Sequence, residues 1–173
     1  MDLNNLVKAA IFTATAIALG FIFMLIPNVE FISVTVFLSG LTLGSGFGAM
    51  IGGTSMFIYS AFNPLGSGLI FLPLLFGQVI AMSLIGIFGA LTSKVLLNVS
   101  FKISIPIAGT IGFISAICYD GLMTISYPIS AGYNWEETIT YAISGLIFTA
   151  MHVVSNTLIF SIVVPGYLHR ISQ

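Results

Sequence analysis

The sequence predicts an all-α integral membrane protein, a bundle of six transmembrane helices with both termini in the cytoplasm. Its composition, its six apolar segments and the positions of its basic residues lead to this prediction. Of 173 residues, 58% are hydrophobic and 5% are charged, whereas about a quarter of a soluble domain is charged. Because such a chain cannot cover itself with water-compatible groups, we expect the bilayer to be its solvent. The length favours one membrane domain over residues 1–173.

Six apolar segments are candidates for the spans. A membrane helix needs about 20 residues, so the second and third segments are short, and 31–61 could be a single span instead of two separated at 43–48. The segments cover residues 6–26, 31–43, 47–61, 69–93, 104–127 and 138–164.

The basic residues favour six spans over five. Cytoplasmic loops collect Lys and Arg, and with Lys8 inside, six spans place all the other basic residues inside as well. A single span over 31–61 would move Lys94, Lys102 and Arg170 to the outside. We therefore predict six spans, with the short second and third helices tilted or buried behind their neighbours.

The sequence argues against a nucleic-acid-binding face, an internal disulfide, a cysteine zinc site and a cleaved signal peptide. Four Lys and Arg and a net charge of −1 leave no basic face for nucleic acid. One cysteine, Cys118, allows neither an internal disulfide nor a cysteine zinc site. The apolar stretch 9–26 imitates a signal peptide, but it is long and has no Ala-x-Ala-like cleavage site, so we interpret it as the first span.

The prolines are used to predict helix boundaries. We expect Pro27 and Pro128 to end helices that run outward and Pro165 to end the last helix. Pro106 falls near a helix start, where its missing N–H matters least. Pro73 falls inside a span near its outer end, where it would kink the helix.

Small residues recur at helical spacing in two places. Gly40, Gly44, Gly48 and Gly52 cross the predicted break, which indicates two packing faces on either side of a tight turn. The first helix carries Ala10, Ala14 and Ala18 on one stripe. That stripe could pack against another span of this chain or dock onto a different membrane subunit.

Two carboxylates lie at or near membrane depth. Asp120 is about 12 Å below the predicted outer end of the fifth helix, where it needs a donor network, a proton or a ligand because no basic residue is expected at that depth. Glu30 falls at the outer end of the second helix, either as an interfacial capping residue or beside a pocket.

Other polar and aromatic residues fall in the same outer half. The simplest common explanation is an outward-facing pocket for a small polar ring compound, with acids that favour a cationic or strongly donating group. The alternatives are an aromatic belt for the loop residues and a backbone contact for the glutamine. The residues are Asn63, Gln78, Tyr119, Tyr127, Tyr133, Asn134, Trp135 and Tyr141.

His152 and Asn156 lie one turn apart on the last helix. We expect them at mid-membrane or further inward, below the pocket. A buried hydrogen-bonded pair that links helices is favoured there over a ligand site.

No catalytic or energy-converting motif is apparent, so no catalytic residue, metal ligand or cofactor is predicted. The glycine-rich stretch 44–53 lacks the Gly-Lys-Ser/Thr ending of a phosphate-binding loop. No serine has the context of an intramembrane protease, and two histidines at different depths do not form a metal cluster. The chain is therefore interpreted as a binding protein without its own energy source.

Four segments together resemble the substrate-binding S components of energy-coupling factor (ECF) transporters, in the general branch of that family. They are IPNVEFISVTVFLSGLTLGSGFGAMIGG, FNPLGSG, CYDGLMT and HVVSNTLIFSIVVPGYLHR, and the resemblance covers nearly the whole chain. It implies a six-helix bundle in a bacterial or archaeal plasma membrane that captures a vitamin or related micronutrient near the outer face.

The resemblance also implies partners and site residues. A transmembrane coupling subunit and two cytoplasmic ATPases would join the chain, and the whole S component would reorient in the membrane to deliver its substrate. The alanine stripe of the first helix matches the family's docking patch. The positions that match the family's pattern are Asn28, Glu30, Asn63, Tyr119, Asp120, His152 and Asn156.

Alternatives remain open at this stage. A stand-alone ion-coupled secondary transporter or channel would need no partner, and a small intramembrane enzyme would use Asp120 or His152. The acids and aromatics lean toward an amine- or ring-nitrogen-containing substrate, such as a thiamine precursor, a pyridoxine-like molecule or a modified base, while cobalamin and pantothenate remain possible.

Overall fold

The structure, a computed structural model, describes residues 2–171. Within this range it contains helices and turns and no strand, which confirms the predicted all-α class. A 3-10 turn, Gly68–Ile70, precedes the fourth helix. The α-helices are α1 (Leu3–Phe23), α2 (Ile32–Leu43), α3 (Ser45–Ala61), α4 (Leu72–Leu97), α5 (Phe101–Ala131) and α6 (Trp135–Ile171).

Four of these helices, α1, α4, α5 and α6, are long and apolar enough to cross a membrane. The helix α2 is shorter but also apolar. These features identify a helical multi-pass membrane protein, as predicted. The observed helices lie within a few residues of the predicted segments at most boundaries, and α5 and α6 extend further than expected.

Helix α2 forms the centre of the bundle. Every residue from Ile32 to Leu41 is buried, and α1, α3, α4 and α6 all pack around it. A helix that is apolar on all sides is stable only when it is surrounded. Of the two short helices predicted to be tilted or buried, α2 is buried behind its neighbours, and α3 is buried only in part.

Glycines allow α2, α3 and α4 to approach closely. Gly44 forms the turn between α2 and α3 with a φ of 89°. A Cβ atom at Gly40 would overlap the carbonyl oxygen of Gly86 in α4, and a Cβ at Gly48 or Gly52 would meet the α4 backbone as well. The glycine series is thus a packing feature around a tight turn, as predicted.

Four proline predictions are wrong. Pro106 is the sixth residue of α5 and lies inside the helix, beyond the first turn where a missing N–H costs least. The helix α5 continues past Pro128 to Ala131, and α6 continues past Pro165 to Ile171. A proline removes only its own donor, and neighbouring helices can hold a membrane helix together across it. Pro73 lies in the first turn of α4 instead of inside it, where no helical hydrogen bond is lost.

Consecutive helices run in opposite directions, which separates the charges. The α4 residue Leu74 contacts Ser130 near the end of α5, and Phe101 at the start of α5 contacts His169 near the end of α6. The end of the bundle that holds the α4–α5 connection, here called the basic end, carries Lys8, Lys94, Lys102 and Arg170. The opposite, acidic end carries Glu30, Glu136 and Glu137.

Helix α1 packs on the bundle through one face only. Its buried residues are Ala16 and Gly20, whereas Ala10, Ala14 and Ala18 are exposed on the other side of the helix. The alanine stripe therefore does not pack against another helix of this chain.

Candidate functional site

A cavity of about 250 Å³ lies near the acidic end, beneath the loop 24–31 that joins α1 to α2. Its ionisable groups come from three elements: Glu30 from the loop, Asp120 from α5 and His152 from α6. Tyr59 and Tyr119 add two phenol rings, and most of the remaining wall is apolar, with several methionines. Among residues 2–171, no Lys or Arg lines this cavity.

His152 lies between the two carboxylates. Its Nδ1 atom is 2.8 Å from Asp120 Oδ1, and its Nε2 atom is 3.8 Å from Glu30 Oε1. The antiparallel packing of α5 and α6 places these residues opposite each other. The His152 side chain is 9% exposed, that of Asp120 17% and that of Glu30 22%.

This position of His152 corrects two predictions. The sequence placed His152 below the pocket and left Asp120 without a basic residue at its depth. The predicted depth of Asp120 assumed that α5 ends at Pro128. Because α5 extends three residues further, Asp120 lies about 17 Å from the end of the helix. The offset between the two helices then brings both side chains to one level.

Asn156 does not form the predicted link between helices. Its side-chain amide donates to the carbonyl oxygen of His152 in the same helix at 3.3 Å. The link is made by His152 itself, through Asp120.

Glu30 both caps α2 and faces the cavity. The backbone N–H of Ser33 donates to Glu30 Oε2 at 2.9 Å. Burial opposes ionisation of this loop residue, but the neighbouring His152 ring and the Ser33 hydrogen bonds outweigh it and hold the pKa of the Glu30 carboxyl below its usual range. The two alternative interpretations of Glu30 therefore apply at the same time.

Two carboxylate oxygens at the site have no hydrogen-bond partner within residues 2–171. They are Glu30 Oε1 and Asp120 Oδ2, and both are shielded from solvent. A buried acceptor without a donor is costly. A ligand that brings N–H or O–H donors would therefore gain affinity here.

The loop over the cavity is fastened to α6. The Ser155 hydroxyl donates to the carbonyl oxygen of Asn28. Asn28 adopts a left-handed conformation, with a φ of 59°, which Asn tolerates better than most residues. The side of the loop that faces the bundle thus forms a cover, and Asn28 lines the cavity beneath it.

A second cavity of about 350 Å³ lies between α5 and α6. It shares two lining residues, Asn28 and Asp120, with the first cavity. Tyr141 also lines it. The two spaces are therefore neighbours on either side of Asn28 and Asp120.

The predicted aromatic residues form a cluster beside this second cavity. The rings of Tyr127 and Tyr141 are stacked with centroids 5.0 Å apart, and Tyr133 packs edge-on against both. Tyr127 also contacts Phe71 before α4. Trp135 lies at the start of α6, is 76% exposed and contacts neither cavity.

Asn134 has a local role at the start of α6. Its Oδ1 accepts from the Glu137 backbone N–H at 3.0 Å, and Glu137 Oε2 accepts from the Asn134 N–H at 2.8 Å. This reciprocal arrangement is a capping box. It fixes where α6 begins and leaves Asn134 away from both cavities.

Gln78 and Asn63 line neither cavity. The Ser60 hydroxyl donates to Gln78 Oε1 at 2.7 Å. Asn63 closes a turn, because its Oδ1 accepts from the Leu65 N–H at 2.9 Å. Gln78 therefore hydrogen-bonds a side chain and not the backbone of a neighbouring helix.

Sequence reasoning missed much of the wall of both cavities. Met56, Tyr59 and Met82 line the first cavity, and Ser155 holds its cover. Apolar and hydroxyl residues in a membrane helix give no sign of which space they face, so no sequence signal identified them. Residues 2–171 contain no group of three or more His, Cys, Asp and Glu arranged to hold a metal ion.

Comparisons with protein-family models, curated proteins and solved structures gave no match to this chain.

Proposed function

We propose that this chain is the substrate-binding S component of an ECF-type importer and captures a small, cationic or donor-rich micronutrient in the first cavity. The observation that carries the proposal is the His152 side chain held between Asp120 and Glu30. These groups surround a covered space. Glu30 Oε1 has only the His152 ring at 3.8 Å, and Asp120 Oδ2 has no hydrogen-bond partner within residues 2–171. Such an arrangement suits binding, and the sequence contains no motif for catalysis.

The chemistry of the wall selects the ligand class. Two carboxylates and one imidazole, with no Lys or Arg, repel anionic groups and attract a cation or an array of donors. The phenol rings and methionines favour the face of a flat ring. A vitamin-like compound with ring nitrogens or an exocyclic amine meets both conditions.

The proposed function includes a membrane topology. Six spans with both termini in the cytoplasm would place the basic end inside and the acidic end, with the cavity, outside. The short helix α2 would cross within a ring of other helices and would need little lipid contact. A bacterial or archaeal plasma membrane is the location that this assignment implies.

The energy for import would come from partners. The exposed stripe of Ala10, Ala14 and Ala18 offers a smooth face for close packing by a transmembrane coupling subunit. Two cytoplasmic ATPases would complete the complex. Because the flanks of the chain carry very few charges, the whole subunit could tilt through lipid at low electrostatic cost and release its substrate inside.

A second candidate is a stand-alone ion-coupled transporter. The hydrogen-bonded pair of Asp120 and His152 favours it, because intramembrane acid–histidine pairs can carry protons. In that case transport would follow a proton gradient without any ATPase.

The experiment is native mass spectrometry of the protein purified gently from its own host, with bound small molecules and co-purifying chains identified. We expect one small ligand per chain and an ATPase-containing complex. The variant Ala14→Leu should dissociate the coupling subunit and ATPases from the chain but should still bind the ligand. The variant Asp120→Asn should lose the ligand by about tenfold or more in affinity, whereas Glu136→Gln, with the same charge change on an exposed residue, should keep it.

Two results would contradict the proposal. A homo-oligomer with no ligand and no ATPase partner, combined with proton-driven flux in liposomes, would favour the autonomous transporter. Chemical turnover of a bound compound that stops in Asp120→Asn would indicate an enzyme.

A further inference from the structure

We infer that the cavity between α5 and α6 is a second compartment of the ligand site, which takes a neutral, hydroxyl- or amide-bearing extension of the ligand. The head of that ligand would lie in the first cavity against Glu30 and Asp120. This inference rests on the proposed function and names the shape of the ligand. The ligand is then a two-part molecule, a ring cation or donor-rich ring joined to a polar arm.

The two cavities meet at Asp120 and Asn28. Both residues line both spaces. Asp120 binds His152 through Oδ1, while its Oδ2 atom is shielded and has no partner within the described residues. A donor on a ligand that passes this point would supply the missing hydrogen bond. Asp120 thus lies where the head and the arm of one molecule would join.

Unpaired hydroxyl groups line the second cavity. Thr124 and Thr149 lie on its wall and are half-buried, and neither hydroxyl forms a hydrogen bond with any part of residues 2–171. By contrast, Thr140 and Thr157 in α6 donate to the carbonyl one turn earlier. Both hydroxyls are therefore free to donate to, or accept from, a polar occupant of this cavity.

The charge of this wall excludes an anionic arm. No Lys, Arg or His lines the second cavity, and Asp120 contributes a carboxylate. A phosphate or carboxylate would meet repulsion without a counter-charge. Hydroxyl side chains, including those of Ser144 and Tyr141, both donate and accept, which suits an alcohol or an amide.

Gly145 keeps the second cavity open. It lines the cavity, and a Cβ atom built on it would meet nothing within 4 Å. Glycine is among the least favourable residues in a helix interior. Unlike Gly40 and Gly86, Gly145 does not serve close helix packing, so a larger side chain can be placed at this wall without a clash at its Cβ.

The volumes of the two cavities suit a ligand that has two parts. The first cavity, at about 250 Å³, is smaller than the roughly 300–1,000 Å³ of typical small-molecule sites. The second, at about 350 Å³, is near the lower limit of that range. The two together, at about 600 Å³, lie well within that range.

The test uses two probes on the purified full chain in lipid nanodiscs. One is 4-aminopyridine, a ring cation at neutral pH, and the other is 4-aminopyridine with a 3-hydroxypropyl arm on a ring carbon. Dissociation constants are measured by ligand-detected NMR. We expect the arm to strengthen binding to the wild-type chain by about tenfold.

Three variants test whether the second cavity is responsible for this gain in affinity. Gly145→Leu should fill it, remove the gain and leave the affinity for 4-aminopyridine unchanged. Gly166→Leu is the matched control, because Gly166 also lies in α6 with nothing within 4 Å of its Cβ position but lines neither cavity. Thr149→Val, which conserves volume, should lower the gain without affecting folding.

The outcomes separate the two proposals. If 4-aminopyridine binds but the arm adds nothing, or if Gly145→Leu weakens both probes alike, the second compartment is refuted and the proposed function stands. If the arm still adds affinity but a phosphorylated arm adds more, the second cavity is a lipid or phosphate site and the inference is wrong. If neither probe binds, the cation site itself fails and the inference fails with it.

Discussion

At the scale of single residues, the chemistry of this protein depends on His152 and the two carboxylates beside it. Asp120 was recognisable in the sequence as a group that needs a donor. The identity of that donor was not, because His152 is 32 residues further along the chain. Only the packing of α5 against α6 brings them to 2.8 Å.

One prediction at this scale concerns pH. The pKa of Glu30 is depressed in the folded chain, so its contribution to stability is present above its ordinary value of 4.5 and is lost as the pH falls through the lower, folded value. We expect Glu30→Gln to unfold at a temperature that depends less on pH in the acidic range. The measurement is thermal unfolding in detergent at a series of pH values.

The control for this pH prediction is Glu136→Gln. It removes an exposed carboxylate at the same end of the bundle and should retain the acid sensitivity of the wild-type chain. Equal acid sensitivity in Glu30→Gln would show that the Glu30 carboxylate contributes nothing to stability in this range.

At the scale of elements, α2 and its glycine contacts organise the bundle. The sequence indicated the tight turn at Gly44 and the packing role of its neighbours. It did not show that α4 supplies the opposing face, through Gly86 and Gly89. The prolines illustrate the same limit, because Pro128 and Pro165 are tolerated inside helices that tertiary packing supports.

A second prediction follows for these glycine contacts. In Gly40→Ala the new methyl group would overlap the Gly86 carbonyl oxygen, so we expect a loss of about 1–3 kcal/mol in the free energy of unfolding. Gly46→Ala is the matched control, since its Cβ would meet nothing within 4 Å and alanine favours the helix by up to about 1 kcal/mol. Unfolding in a mixed-micelle denaturant series measures both.

One result would contradict the prediction for Gly40→Ala. If both variants show the same free energy of unfolding, α2 and α4 can separate without cost. The close approach of their backbones would then not stabilise the bundle.

At the scale of the whole molecule, the charges lie at opposite ends of the bundle. The basic residues and the acidic loops were assigned to opposite sides from the sequence, and the alternating helix directions place them at opposite ends. The number of membrane crossings remains part of the proposal, because α2 has 12 residues and spans only about 18 Å.

The third prediction tests the crossings. In a Cys118→Ser background, single cysteines are placed at Asn98, Tyr133 and Ser45, the last in the exposed first turn of α3. If α2 and α3 both cross, a membrane-impermeant thiol reagent should label positions 45 and 98 from one side and position 133 from the other.

The alternative arrangement gives a different pattern. If α2 and α3 form a hairpin that enters the membrane without crossing it, position 45 should resist labelling from both sides. Positions 98 and 133 would still react from opposite sides, which controls for sealed membranes.

The sequence by itself determined the solvent, the helical class and the approximate spans, because these depend on local composition and on the length of apolar segments. It also singled out Asp120 and Glu30, since charges are rare and costly in such a chain. The tertiary structure alone decided that His152 joins them, that Asn28 covers the cavity and that a second cavity adjoins it. These features arise from the offset and direction of helices distant in the chain, which no local pattern of residues encodes.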